Sequence, residues 1–215
     1  TTRLKMAPAE RYEVVIDFAK YPIGKRVILR NASPKNNVDY SNADRLMAFD
    51  VVSDATSTEN NTVPDVLNAN EPVMQLRPED AVTTRTFNFH RANGEWKINN
   101  KSWKDVENSD YEFTLAQPRR GDVEIWEFKN LSGGWFHPVH VHLIDFQIIS
   151  RNGLPPRPYE RGPKDVVYLG EEETVRVLAR FEGRGKYMMH CHNLMHEDHD
   201  MMGQFEVIDP DGPGD

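Results

Sequence analysis

The chain has 215 residues, 38% of them hydrophobic, which is enough to bury one large or two small cores. Its 26 Lys and Arg stand against 34 Asp and Glu, a formal net charge of -8 with no basic stripe, which argues against nucleic acid as a partner. No apolar run approaches the ~20 residues needed to span a bilayer, Thr1-Thr2-Arg3-Leu4-Lys5 lacks the apolar core of a signal peptide, and the lone cysteine, Cys191, excludes an internal disulfide.

From the N-terminus, Tyr12, Val14, Ile16 and Phe18 alternate with Glu13 and Asp17, which predicts a half-buried strand. Similar short runs follow at 27–29, 46–52, 84–89, 123–128, 139–149, 174–181 and 204–208. Turn formers separate them, among them Pro22-Ile23-Gly24, Ala92-Asn93-Gly94, Ser132-Gly133-Gly134, Asn152-Gly153 and Glu182-Gly183-Arg184-Gly185. No long amphipathic helix emerges, so the expected class is all-β, an antiparallel sandwich or Greek-key barrel. Residues 53–71 are rich in Ser, Thr, Asn and Asp and suit a surface linker. The expected division is therefore 1–55 as the end of one domain, 56–71 as linker and 72–215 as a complete domain. The first part holds too few strands to close a barrel and would leave an unpaired sheet edge.

The chemistry concentrates near the end of the chain. His190, Cys191 and His192 are consecutive, and in an extended strand both imidazoles face away from the cysteine, so this tripeptide can serve two metal centres at once. His196 and Met201 follow in a segment whose Glu-Asp-His-Asp composition turns the chain back toward the thiolate. One thiolate, two imidazoles and a weak thioether form a blue-copper ligand set, so a second histidine is required. His137-Pro138-Val139-His140-Val141-His142 supplies candidates. His140 and His142 share a strand face, whereas His137 precedes Pro138 at the strand entrance and is assigned to the thiolate. His140, His142, His190 and His192 then form a second, all-imidazole group. Zinc is the rival metal, and Met201 argues for copper. Ordinary core imidazoles are the bland alternative, set against six histidines spaced around the sole cysteine. His90 is expected to be structural, and Met188, Met189, Met195 and Met202 to fill gaps in packing.

His137-Pro138-x-His140-x-His142 together with His190-Cys191-His192-x-x-x-His196-x-x-x-x-Met201 resembles the C-terminal signature of multicopper oxidases. Leu143-Ile144-Asp145-Phe146, Glu197-Asp198-His199-Asp200-Met201-Met202 and Trp135, two before His137, resemble the bilirubin oxidase and spore-coat laccase branch. The resemblance implies a cupredoxin-like fold. Ala7-Pro8-Ala9-Glu10-Arg11-Tyr12 then opens the closing part of a middle cupredoxin domain, and 72–215 is the third. It also implies copper as cofactor: type 1 held by His137, Cys191, His196 and axial Met201, type 2 by His140, and the paired type 3 ions by His142, His190 and His192.

The implied activity takes single electrons from a small reducing substrate (phenols, bilirubin-like tetrapyrroles or metal ions) and reduces dioxygen to water. Trp135 is then either a substrate contact or a packing residue, and Glu197 either a proton carrier or a solvated carboxylate. Complete family members draw further histidines from His-x-His motifs elsewhere, and this chain has no second set. The expected partner is an N-terminal portion of the same oxidase, cleaved or as another chain. The resemblance points to a secreted, periplasmic or spore-coat setting. A single-site blue-copper electron carrier or copper-binding remnant without oxidase activity is the alternative, and a metal-free structural protein a third class.

Overall fold

The computed structural model describes residues 3–32, 44–57, 59 and 62–211. The expected linker at 56–71 includes positions 58, 60 and 61, and the expected first domain includes 33–43; these lie outside the described residues. The chain divides into two units, one made of Thr1–Arg11 with Asn68–Asp215 and the other of Tyr12–Leu67.

The smaller unit carries two strands among its described residues, β1 (Arg26–Arg30) and β2 (Arg45–Asp50), paired antiparallel. Arg26 and Asp50 face each other across the ribbon and form an ion pair at 2.7 Å, and Phe18 packs on Phe49 at 5.2 Å between ring centroids. The strand expected from Tyr12 to Phe18 is not formed. Residues 11–17 lie in no ladder, Val15 is 76% exposed, and Phe18–Lys20 is a 3-10 turn capped by the Asp17 carboxylate. Alternation marks a face only where a neighbouring strand completes the ladder, and the described residues of this unit offer none.

The described residues of the larger unit form a sandwich of nine strands: β3 (Ala81–Ala92), β4 (Glu95–Ile98), β5 (Val123–Asn130), β6 (His137–Val141), β7 (Phe146–Arg151), β8 (Val166–Leu169), β9 (Thr174–Arg180), β10 (Gly185–Cys191) and β11 (Met202–Val207). One sheet has the order β11-β10-β6-β8 and the other β4-β3-β5-β9-β7. All pairs are antiparallel except β3 with β5. The inner faces meet in a core that includes Phe87, Phe89, Trp126, Phe128, Phe146, Phe181 and Phe205, all almost fully buried. Two short helices, α1 (Trp103–Asn108) and α2 (Leu194–Glu197), are the only α-helices among the described residues.

Three local features set the position of the chemistry. Asn93 and Gly94 both have positive φ, the backbone a two-residue hairpin turn requires, and they bring β4 back along β3 with Trp96 opposite Arg91. The expected single run at 139–149 is two strands in different sheets. β6 ends at Val141, the chain turns through Leu143 at φ 78, and β7 starts at Phe146 beside β9. Hydrophobic alternation cannot register such a switch, because the pattern continues while the hydrogen-bond partners change. Finally, β10 lies between β6 and β11, so the histidine-bearing ends of β6 and β10 are neighbours, with His140 opposite His190 and Val139 opposite Cys191.

Candidate metal centres

Val139, Val141, Met189 and Cys191 belong to the core, so the residues that alternate with them on β6 and β10 point to the other face of the sheet. Cys191 therefore faces inward, toward His137 at the start of β6 and His196 on α2. Asn193 caps α2 by accepting from the Met195 N–H, and this single turn returns His196 to the sulfur. Cys191 Sγ is 3.4 Å from Nδ1 of both His137 and His196, and those two nitrogens are 3.2 Å apart. The point equidistant from the three donors is about 1.9 Å from each, near the roughly 2.0–2.3 Å at which imidazole nitrogen and thiolate sulfur hold a small divalent ion. Met201 is fully buried, and its carbonyl accepts the Cys191 N–H at 3.0 Å.

Burial keeps the donors of this group uncharged in the absence of a metal. Burial, then the nearby His196, lowers His137 to about 3, and burial, then His199 and Arg91, lowers His196 to about 4. Both rings are neutral at physiological pH, as ligands must be. Burial pushes the Cys191 thiol up to about 12, so the protein alone does not stabilise the thiolate. Two ring nitrogens and a thiol converging on one point leave room for a shared proton or a metal, and a coordinated metal is what deprotonates such a thiol outright. Two imidazoles and a thiol are the His2Cys donor set of blue copper, and three protein ligands with an open position also suit zinc.

On the opposite face His140, His142 and His190 bring their donor atoms within 4.8 Å of one another. His142 Nε2 and His190 Nε2 are 3.2 Å apart. His140 directs Nδ1 to the Asp165 carbonyl at 2.8 Å, which leaves Nε2 for a ligand, and the Asp165 carboxylate is held by Arg11 through contacts of 2.6 and 2.8 Å. His192 stands at the rim, half-exposed, its ring 5.2 Å from His190 and 6.0 Å from His140, and it is outside the close trio. Burial, reinforced by His140, His142 and His192, lowers His190 to about 4. Glu197 Oε2 lies 3.6 Å from His190 Nδ1 and 3.7 Å from His192 Nδ1, beyond direct hydrogen-bond length.

Some residues around the inner site had no part in the sequence argument. Trp96, almost fully buried, lies against His196 with ring centroids 3.9 Å apart. Ser132 Oγ is 3.3 Å from the outer nitrogen, Nε2, of His137. Buried Asn130 holds the intervening loop: its Oδ1 accepts from the Ser132 N–H, and its Nδ2 donates to the Trp135 and Gly170 carbonyls. A hairpin signal at Asn93-Gly94 places Trp96 on a strand but does not say which histidine it meets. Trp135 is 41% exposed, with its ring steeply inclined to that of His196 at 5.1 Å between centroids. His90 is bonded between the Asn88 carbonyl and Asn100, outside both groups.

The multicopper oxidase family model matches residues 74–211, almost the whole larger sandwich and both histidine groups. The chain belongs to the multicopper oxidase family. It is 43% identical over 217 residues to the bilirubin oxidase of Albifimbria verrucaria, covering 96% of this chain and 36% of that protein. It is 30% identical over 227 residues to the laccase of Bacillus subtilis (strain 168), covering 95% of this chain and 42% of that protein. The crystal structure of the McoA multicopper oxidase from Aquifex aeolicus superposes with a TM-score of 0.75 at 27% identity, over 90% of this chain and 42% of that one. The chain thus spans about two fifths of the length of these multicopper oxidases. The all-β, cupredoxin-like class expected from the sequence is borne out. Multicopper oxidases use copper, and the group of His137, Cys191 and His196 is consistent with their type 1 site.

Proposed function

We propose that this chain provides the substrate-side half of an oxygen-reducing copper oxidase. His137, Cys191 and His196, together with Met201, would hold type 1 copper; His140 would hold type 2, and His142, His190 and His192 the type 3 pair. The observation that carries this reading is the donor triangle of 3.2, 3.4 and 3.4 Å on one face of β10, with a second imidazole group on the other. Copper bound at these places supplies one-electron acceptance at the first site and four-electron reduction of dioxygen to water at the second.

The chain's own residues set the path and the environment. Cys191 is bonded through the backbone to His190 and His192, the shortest covalent connection between the two groups. The aromatic and aliphatic core around Cys191 excludes water from the thiolate. Trp135, exposed and packed against His196, is the contact for an aromatic reducing substrate of the phenol or tetrapyrrole kind, with metal ions as the other class. Glu197, close to the Nδ1 atoms of His190 and His192, carries protons toward the second group.

Residues 72–215 form the third cupredoxin domain in this reading, 1–55 the end of the middle one and 56–71 the linker. The histidines that complete the second group come from an N-terminal portion of the same oxidase, cleaved or as another chain. Copper stoichiometry of the purified protein, measured with oxygen uptake on a phenolic dye, tests the reading. Four coppers per functional unit with uptake support it. One copper without uptake in the presence of the N-terminal portion reduces it to a single-site electron carrier.

A further inference from the structure

We propose that Trp96 is a positioning residue for the thiolate site: its indole fixes the imidazole plane of His196 and keeps water from that ring's outer nitrogen. The inference rests on the type 1 assignment of His137, Cys191 and His196.

A ligand histidine is normally oriented by a hydrogen bond to the nitrogen that does not bind the metal. Two histidines here follow that rule, His137 through Ser132 Oγ at 3.3 Å and His140 through the Asp165 carbonyl at 2.8 Å. His196 does not. Its Nδ1 faces Cys191, and its Nε2 is buried without a hydrogen-bond partner among the described residues. The contact that meets the ring instead is the indole of Trp96, tilted 35° to it with centroids 3.9 Å apart. Trp135 stands at a steep angle to the same imidazole at 5.1 Å and to Trp96 at 5.5 Å, so two indoles pack against the ring.

Trp96 is itself held firmly. It pairs with Arg91 across the β3–β4 hairpin, and the Arg91 guanidinium lies over its ring at 5.4 Å. It also meets His137 at 5.5 Å, edge to face, so one indole abuts both imidazoles of the triangle. Without that surface the His196 ring is free to rotate about its own bonds, which swings Nδ1 away from the sulfur. Water then reaches Nε2 and favours the more highly charged, oxidised metal, so the reduction potential falls.

The test compares the copper-loaded chain with Trp96→Leu, Trp96→Phe and a packing control, Leu178→Ala, which lies in the separate cluster of Val123, Ile125 and Leu178. The readouts are the visible absorption band, the reduction potential and the rate of copper loss to a chelator. Trp96→Leu is expected to weaken or shift the band, lower the potential and speed copper loss by about tenfold or more. Trp96→Phe, which restores a smaller plane, should fall between it and the parent. Leu178→Ala should lose stability with band and potential unmoved. A parent-like band, potential and copper loss in Trp96→Leu overturn the inference. If that variant does not fold, parent-like values in Trp96→Phe overturn it. A parent chain without any blue band defeats the type 1 assignment itself, and the inference with it.

Discussion

Asn130 is the polar hinge of the loop that leads into the thiolate site, and replacing it tests how much that loop depends on one side chain. It is 2% exposed and makes three hydrogen bonds, from Nδ2 to the Trp135 carbonyl (2.7 Å) and the Gly170 carbonyl (2.8 Å) and to Oδ1 from the Ser132 N–H (2.8 Å). Asn130→Ala removes all three and leaves backbone groups unpaired. At about 1 kcal/mol net per bond, with a further desolvation penalty for the orphaned groups, the expected loss is about 3–5 kcal/mol. For a domain of this size that corresponds to a fall of roughly 10 °C in midpoint. Asn130→Asp keeps the acceptor for Ser132 but turns an oxygen toward two carbonyls, so its cost should equal or exceed that of alanine and should shrink in acid, where the carboxyl can donate. Urea unfolding of the parent and both variants supplies the comparison. A loss below 1 kcal/mol for Asn130→Ala, or an aspartate variant as stable as the parent at neutral pH, refutes the reasoning.

The remaining expectations follow from the same geometry. In the copper-free chain His137, His190 and His196 titrate at about 3 to 4 when folded, below the ordinary 6.5, so the unfolded chain takes up protons first and stability falls as pH drops from about 6.5 toward 4. Cys191 titrates at about 12 when folded, above the ordinary 9.0, so the unfolded chain loses its proton first and stability falls again as pH rises beyond 9. Urea midpoints against pH should therefore peak between these limits, and a midpoint that rises from pH 6.5 to 4 contradicts the assignment. Met201→Leu conserves volume at a fully buried site, so the cost should stay under about 1.5 kcal/mol, while loss of the thioether should raise the reduction potential of the loaded site. An unchanged potential in that variant removes Met201 from the ligand set.

What the sequence made legible follows the range over which each signal acts. Cys191 and His190 separate to opposite faces by the period of a strand, and the short His196 return is local, so both could be read along a few residues. The convergence of His137 with them needed only that two strands lie side by side. Trp96 was not legible, since its meeting with His196 depends on the order β4-β3-β5 and on the parallel pairing of β3 with β5, neither of which leaves a mark in local alternation. The same limit produced two errors. The pattern at 139–149 continued through a change of sheet at Leu143, and the alternation from Tyr12 to Phe18 suggested a strand where no partner pairs it among the described residues. Ser132 read as part of a turn and Asn130 carried no signal, and only their burial and bonding reveal that they hold the loop against His137.

The most direct test of the account is Cys191→Ser, examined by visible spectroscopy and copper content. The substitution removes the one sulfur shared by the triangle while leaving His140, His142, His190 and His192 intact. With Cys191 in the blue centre, the intense blue absorption is lost together with one copper per chain. Persistence of that absorption in the serine variant contradicts that placement.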